Sequence, residues 1–458
     1  MNKYEKVLIM GLGLHGGGVG AANFFLSIGS SVVITDLKTE EELKPSIEKL
    51  KKSDKLRLVL GRHDYNDFKN ADLIIKNPGV PPGSPYIKCA LEHGAMVDTD
   101  IGIFISNVKH KTDNILGVTG TKGKSTTASL LHRIVVQKDP DALLGGNITV
   151  SVLDIIDKVK NGSYVILELS SFQLGGLTGR KFSPRLGIFT NFMEDHLNYY
   201  KDMDEYFNDK TVLYRYQKKG DVLVVNRDDP VCGSIEPQQD VTLVSFGIGD
   251  SFSGPGSYTH GGKIYYRGSK NTDLIMELDE IKLPGRHNLY NVLAAAAAAR
   301  AEQIAPQEIS AAVSGFNGLD HRLEYLGRVK SAAFYNDSAA TTPAAAVSAL
   351  VSFESPITLI AGGSDKGLDL KQFVDIINKK VTRLILLEGT GTDRLVKGGL
   401  KKEYKIFDSL EKAVRYITDL RDLSGTVLLS PGFASFGMFV NEFHRGNMFR
   451  ELVLSRLK

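Results

Sequence analysis

The stretch Gly117-Val118-Thr119-Gly120-Thr121-Lys122-Gly123-Lys124-Ser125-Thr126-Thr127 constrains the fold of this chain more than any other. It follows the apolar, strand-like run Ile115–Val118 and precedes a helical segment. A loop in that setting turns backbone N–H groups and a helix N-terminus toward one point, which suits a polyphosphate. The spacing predicts that Gly120, Thr121, Lys122 and Gly123 wrap the phosphates of ATP and that Lys124 meets the β- and γ-phosphates. The hydroxyl of Ser125 or Thr126 is then placed to reach Mg²⁺. The strict expression asks for Gly at position 118, where this chain has Val118, so the match is a variant. A mere Gly-rich turn with a surface lysine would leave the ordered succession of strand, loop, Gly-Lys-Ser and helix unexplained.

A phosphate loop requires an α/β domain, and 458 residues are enough for about three domains. Val7–Met10, Ser31–Thr35, Leu56–Leu60 and Leu73–Ile75 read as strands of a parallel sheet with crossover segments between them. This gives a Rossmann-like domain over residues 1–111. Strands at Tyr164–Leu169 and Leu186–Thr190, a small antiparallel meander between Phe252 and Leu283, and a helix from about His287 through Ala294–Ala299 complete a central P-loop domain over 112–317. From Gly318 the alternation resumes at Ala332–Tyr335, Ile357–Ala361, Arg383–Leu387 and Thr426–Leu429, a second Rossmann-like domain over 318–458.

Near the N-terminus, Gly11-Leu12-Gly13-Leu14-His15-Gly16 follows a strand, and Asp36 closes the next one. Alone, that pattern says NAD. Charge argues against a nucleic-acid partner, because 56 basic and 53 acidic residues leave a net charge of only +3. Two distant cysteines, Cys89 and Cys232, form no disulfide framework, and no apolar run is long enough to span a membrane. A cytoplasmic protein is expected.

The string T-G-T-x-G-K-[ST] resembles the phosphate loop of the Mur ligases, and further blocks follow in that family's order from Gly11 to Gly446. They are Glu168-Leu-Ser170-Ser171-Phe172-Gln173-Leu174, Asn191-Phe-Met-Glu194-Asp195-His196, and Lys210 at the spacing of the family's carbamylated lysine. His287-Asn288-Leu-Tyr-Asn291, His321-Arg322-Leu-Glu324, Asn336-Asp337-Ser338, Gly362-Gly363-x-Asp365-Lys366 and Leu429-Ser430-Pro431-x-x-Ala434-Ser435 complete the series. The resemblance implies an ATP-dependent amide ligase of peptidoglycan precursor synthesis. The second block resembles the version found in the member that adds D-glutamate to UDP-N-acetylmuramoyl-L-alanine, which implies that substrate pair. A monomer using two Mg²⁺ ions is expected.

The same resemblance implies roles. Glu168, His196 and a carbamate on Lys210 would hold metal beside Ser125, with Lys124 as the catalytic cation. Asn288 and Asn291 would hold adenine, and Arg322 and Asp337 would also contact ATP. The uridine diphosphate would lie on Leu14, His15 and Gly16 with Asp36 near uridine. Asn77, Gly79, Asn147, Ser170 and Gln173 would contact the rest of that substrate. Thr341, Lys366 and Ser435 would take the side-chain carboxylate of D-glutamate, since a charged donor and two hydroxyls suit a carboxylate. Two positions depart from the family. Ala339 stands where a lysine is common, and Glu442 stands where an aromatic packs on the glutamate, with Phe443 adjacent.

Chemistry explains such a set. A carboxylate meets an amine productively in water only after activation, and transfer of the γ-phosphoryl group makes it an acyl phosphate. Bringing two anions together requires cations. Four other readings stay open: a related ligase using a different amino acid, a folate-type ligase, an NAD-dependent dehydrogenase, and a non-catalytic paralogue that keeps the fold for binding. The first needs only a changed C-terminal pocket. The folate type lacks the Rossmann-like N-terminal domain, and the dehydrogenase leaves the phosphate loop unexplained.

Overall fold

A computed structural model of the chain describes residues 4–14, 16–81, 83–148, 151–197, 199–249 and 253–457. Contacts divide the chain into two compact units, Met1–Met276 with Tyr290–Ala312, and Glu277–Leu289 with Val313–Lys458. No helix of the described residues is long and apolar enough to cross a membrane.

The first unit contains two sheets. The N-terminal one joins β1 (Lys6–Met10), β2 (Ser31–Asp36), β3 (Leu56–Leu60), β4 (Leu73–Lys76) and β5 (Met96–Asp98) in the order β3-β2-β1-β4-β5. All its pairings are parallel. β1 is continuously apolar because both its faces are covered. Val7 and Ile9 share a core with Phe24 and Phe25 of the helix Gly17–Ser27, while Leu8 and Met10 pack with Ile87 and Ala90 of the helix Pro85–Glu92. Helices therefore leave β1 and β4 on opposite faces, and the carboxyl ends of these neighbouring strands open a crevice, the usual ligand position in such sheets.

The second sheet holds β6 (Ile115–Thr119), β7 (Leu143–Gly146), β8 (Val165–Glu168), β9 (Leu186–Phe189), β10 (Val222–Asn226), β11 (Thr242–Gly247), β12 (Gly256–His260), β13 (Lys263–Arg267) and β14 (Thr272–Glu277). Their order is β14-β13-β12-β11-β10-β9-β6-β8-β7. β6 lies between β8 and β9 with all five of its residues buried, so the loop that follows it leaves from the middle of the sheet. The antiparallel meander expected between Phe252 and Leu283 is realised as β12 to β14, with Phe252 outside the described residues. β12 pairs antiparallel with β13 but parallel with β11, so these strands extend the central sheet. The helix Arg286–Ala301 begins one residue before the expected start, and Val292 to Ala299 are fully buried, as its all-round apolar character requires.

The second unit carries β15 (Glu324–Val329), β16 (Ser331–Asn336), β17 (Ile357–Gly362), β18 (Val381–Leu387), β19 (Tyr404–Phe407) and β20 (Ser424–Leu429), ordered β15-β16-β20-β17-β18-β19. Only β15 runs antiparallel among the pairs, with a register shift between Tyr325 and Gly327. β5, β7, β10, β11, β15 and β19 are additional to the strands read from the sequence.

Candidate active site

The phosphate loop runs from β6 into the helix Lys124–Val135, whose first residue is preceded by Gly123 in the left-handed region (φ 83°) with no side-chain cap. The first turn has no acidic residue, so its positive end is left for an anion. Gly123 is required twice over: its φ disfavours any L side chain, and a Cβ there would collide with the Asn291 amide. Lys124 curls back over the loop, its Nζ donating to Gly120 O (3.1 Å) and Thr121 O (2.9 Å). Ser125 and Thr126 lie half-buried in the first turn.

The segment after β9 braces this loop. Thr121 N donates to Asn191 O (2.9 Å), Lys122 N to Asn191 Oδ1 (2.8 Å), and Thr190 Oγ1 to Lys122 O (2.7 Å). Lys122 Nζ also pairs with Asp195 at 3.1 Å. Thr190 and Asn191 were not read as site residues; their signal was their place at the head of the Asp195-His196 block. Asn291 comes to the loop, its Oδ1 accepting from Thr127 Oγ1 (3.2 Å). Asn288 instead donates from Nδ2 to Pro284 O at 2.7 Å.

Three of the expected metal-holding residues stand close to this loop or to its sheet. Glu168 ends β8 buried, and its Oε1 accepts from Asn147 Nδ2 at 3.1 Å, while Asn147 N donates to Glu168 O at 2.8 Å. Asn147 thus orients the carboxylate. His196 has a positive φ of 57°, and its ring meets Phe172 (centroids 5.0 Å apart) and Tyr206 (5.8 Å). Partial burial of the ring holds its pKa below the usual histidine value, and Lys210, Lys124 and Lys122 add to the effect against Asp195. Lys210 is 1% exposed, with Nζ donating to Gly120 O at 2.8 Å and lying 4.8 Å from the centre of the Tyr206 ring. Burial first, and Lys124 second, push its pKa well below that of an ordinary lysine. Among the described residues no group of three or more His, Cys, Asp or Glu side chains forms a ready metal cage.

In the N-terminal crevice, Asp36 braces the glycine loop. Its Oδ2 accepts from Leu12 N (2.9 Å) and Gly13 N (3.2 Å), and its Oδ1 from Lys38 N (3.0 Å). Oδ2 thus shapes the glycine loop, and Oδ1 the turn that follows β2. Gly16 precedes the helix Gly17–Ser27 with φ 90°, Leu14 is exposed, and His15 lies outside the described residues. Gly18 allows the close approach, since a Cβ there would strike the Leu12 carbonyl. Across the crevice Asn77 donates from Nδ2 to Gly11 O (3.3 Å) and accepts from Gly79 N (3.1 Å). Ser170 and Gln173 form a reciprocal capping box on the helix Ser171–Leu177, the local structural duty that a Ser-x-x-Gln spacing encodes.

In the C-terminal unit, Lys366 Nζ donates to Thr341 Oγ1 at 3.2 Å, so two of the expected carboxylate-binding groups meet beside a small pocket lined also by Asp365, Leu368 and Phe433. Ser435 is buried, and Phe443 is 52% exposed with its ring against His321 (5.9 Å). Asp337 accepts from Leu323 N (3.2 Å) and Ser430 Oγ (2.7 Å), and burial pushes its carboxyl up to about 7, with Arg322 acting in the opposite direction. Arg322 itself is exposed. Sequence reading missed Arg445. It is fully buried, and its guanidinium donates to Ser338 Oγ (2.9 Å), Ser338 O (2.9 Å) and Phe433 O (3.4 Å), tying together the loops after β16 and β20.

Three family models match the chain: "Mur ligase MurD-like, N-terminal domain" over residues 5–98, "Mur ligase middle domain" over 118–299, and "Mur ligase, glutamate ligase domain" over 321–433. Among its relatives is the UDP-N-acetylmuramoylalanine–D-glutamate ligase of Roseiflexus sp. (strain RS-1), 37% identical over 98% of both chains. The protein of the same name from Borreliella burgdorferi (strain ZS7) is 39% identical, again over 98% of both. Among solved structures, the UDP-N-acetylmuramate–alanine ligase of Thermotoga maritima superposes with a TM-score of 0.59 at 18% identity, covering 99% of each chain. A pseudomurein peptide ligase type C from Methanothermus fervidus gives 0.53 at 18% identity, covering 99% of this chain and 100% of its own. These two likenesses are likenesses of fold.

Proposed function

The chain belongs to the Mur ligase family, and we propose that it joins D-glutamate to UDP-N-acetylmuramoyl-L-alanine at the expense of ATP, as a cytoplasmic monomer. The observation that carries this reading is near-full-length identity of 37–39% to ligases of that name, together with the matched N-terminal model. Residues 1–111 are assigned to the uridine substrate, 112–317 to ATP and 318–458 to the amino acid. The dinucleotide alternative leaves unexplained the phosphate loop after β6 and the matched Mur ligase N-terminal and middle-domain models.

In the proposed reaction an oxygen of the alanyl carboxylate attacks the γ-phosphorus, and ADP leaves. The amine of D-glutamate then attacks the acyl carbon of the acyl phosphate, inorganic phosphate leaves, and the nitrogen loses a proton to solvent. Lys124, at the head of its helix, offsets charge on the β- and γ-phosphates. Lys366 and Thr341, with Ser435, hold the side-chain carboxylate so that the amine is presented in attacking geometry.

The chemistry of the donor set fits Mg²⁺: the hydroxyl of Ser125 or Thr126 and the buried carboxylate of Glu168 are oxygen donors, the kind this ion takes beside water and substrate phosphate oxygens. Ser125 or Thr126 would hold one ion, and Glu168, His196 and Lys210 a second; bound there, Mg²⁺ would neutralise the phosphates and the substrate carboxylate. Lys210 would serve as a carbamate. Its burial favours the neutral amine, the form that adds carbon dioxide to give an anion and release a proton. The test of the reading is phosphate release from ATP across a panel of UDP-muramoyl substrates and amino acids. Release dependent on both UDP-N-acetylmuramoyl-L-alanine and D-glutamate is expected; preference for a basic or neutral amino acid would overturn the assignment.

A further inference from the structure

Lys76 is the last residue of β4 and lies opposite Met10 of β1 in register, at the floor of the crevice where the N-terminal sheet reverses its strand order. Its side chain does not leave for solvent. It is half-buried, and Nζ donates to Val80 O at 3.0 Å, inside the loop that follows its own strand. The same carbonyl accepts from Tyr199 OH at 3.5 Å, so the ammonium sits beside the tyrosine. The Tyr199 ring packs on Phe172 (4.6 Å), and Phe172 packs on His196 (5.0 Å). A continuous wall therefore runs from the glycine-loop crevice, past Lys76, to the phosphate-loop site.

Electrostatics single out this lysine. Burial holds its pKa below the ordinary lysine value, and Asp209 acts against that only from beyond ion-pairing distance. Among the described residues its ammonium is paired with a carbonyl and with no carboxylate. A half-buried cation with a neutral partner is costly by itself, and an anionic ligand offsets the cost. The backbone donors of the glycine loop do not supply that charge, because Leu12 N and Gly13 N are engaged by Asp36.

We propose that Lys76 is the cation that binds the diphosphate of the uridine substrate, reading it from the β4 side of the crevice while the uncapped helix Gly17–Ser27 faces it from the β1 side. The inference rests on the uridine-nucleotide reading given above. Calorimetric titration of the full chain and of Lys76→Met with UDP, with UMP and with UDP-N-acetylmuramoyl-L-alanine tests it. The variant is expected to bind UDP and the full substrate about tenfold more weakly and UMP within about twofold of the parent. Three results overturn it. Unchanged UDP affinity with a weakened full substrate would move Lys76 to the carboxylate end. Equal weakening of UDP and UMP would make it only a brace for the Asn77–Val80 loop. Unchanged affinity for all three would leave it no role in binding. A parent that binds no uridine nucleotide would fell the underlying reading as well, which the parent titration reports independently of the variant.

Discussion

Lys210 and Lys366 show how differently two lysines are used in this chain. Lys210 is sealed beneath the phosphate loop, where an ammonium would be poorly solvated and would face Lys124. The carbamate proposed there would convert an unfavourable cation into an anion close to cationic partners. Lys210→Ala is expected to lose most of its turnover and to recover part of it when short carboxylic acids are added; an alanine variant as active as the parent would exclude the role. Lys366 is exposed and bonded to the neutral hydroxyl of Thr341, and the proposal gives it the side-chain carboxylate of D-glutamate. Lys366→Ala is expected to raise the D-glutamate KM about tenfold, the equivalent of roughly 1.4 kcal/mol, and an unchanged KM would remove D-glutamate from the pocket. At this scale the sequence made the chemistry-bearing side chains legible, because motifs fix residue types at fixed spacing. It did not make legible what each polar atom is already bonded to. Asp36 spends hydrogen-bonding capacity on a glycine loop that follows a different strand, and Arg445 bonds Ser338, 107 positions away in sequence.

Among the elements, β1, β6 and β17 were readable because strands buried on both faces are uninterrupted apolar runs. β10 and β11 were not read as strands, since a short apolar run carries no period of its own. β5 has three residues, β7 ends in two glycines, and β19 is largely exposed at a sheet edge, so none presents a strand pattern locally. The helix Asp100–Val108 supplies a test of burial energetics. Asp100 opens it, buried, and burial pushes its carboxyl up to about 6, with Asp98 adding to the shift and the Ile101 N–H opposing it. Because the folded state holds this proton more tightly than the unfolded chain, the associated stability is full below about pH 4 and is lost as pH rises through about 6. Asp100→Asn removes the titration. Relative to the parent, the variant should gain about 3 kcal/mol in stability between pH 4 and pH 8. Chemical denaturation at those two pH values measures it, and a difference independent of pH would contradict the assigned burial effect.

Across the whole molecule, the blocks scattered through the sequence belong to three sheets, and each sheet presents its loops at the carboxyl ends of its parallel strands. The glycine loop follows β1, the phosphate loop follows β6, and the loops bearing Asp337, Lys366 and Ser435 follow β16, β17 and β20. One α/β rule, applied three times, positions the loops proposed to take the nucleotide sugar, ATP and the amino acid. What unites them is a single chemical claim: the substrate carboxylate is phosphorylated before the amine arrives. Heavy-oxygen labelling of the alanyl carboxylate of UDP-N-acetylmuramoyl-L-alanine addresses it most directly. With ATP and D-glutamate, one labelled oxygen should appear in inorganic phosphate for each amide formed, with ADP as the other nucleotide product. Label-free phosphate, or label carried into AMP, would contradict the acyl-phosphate route.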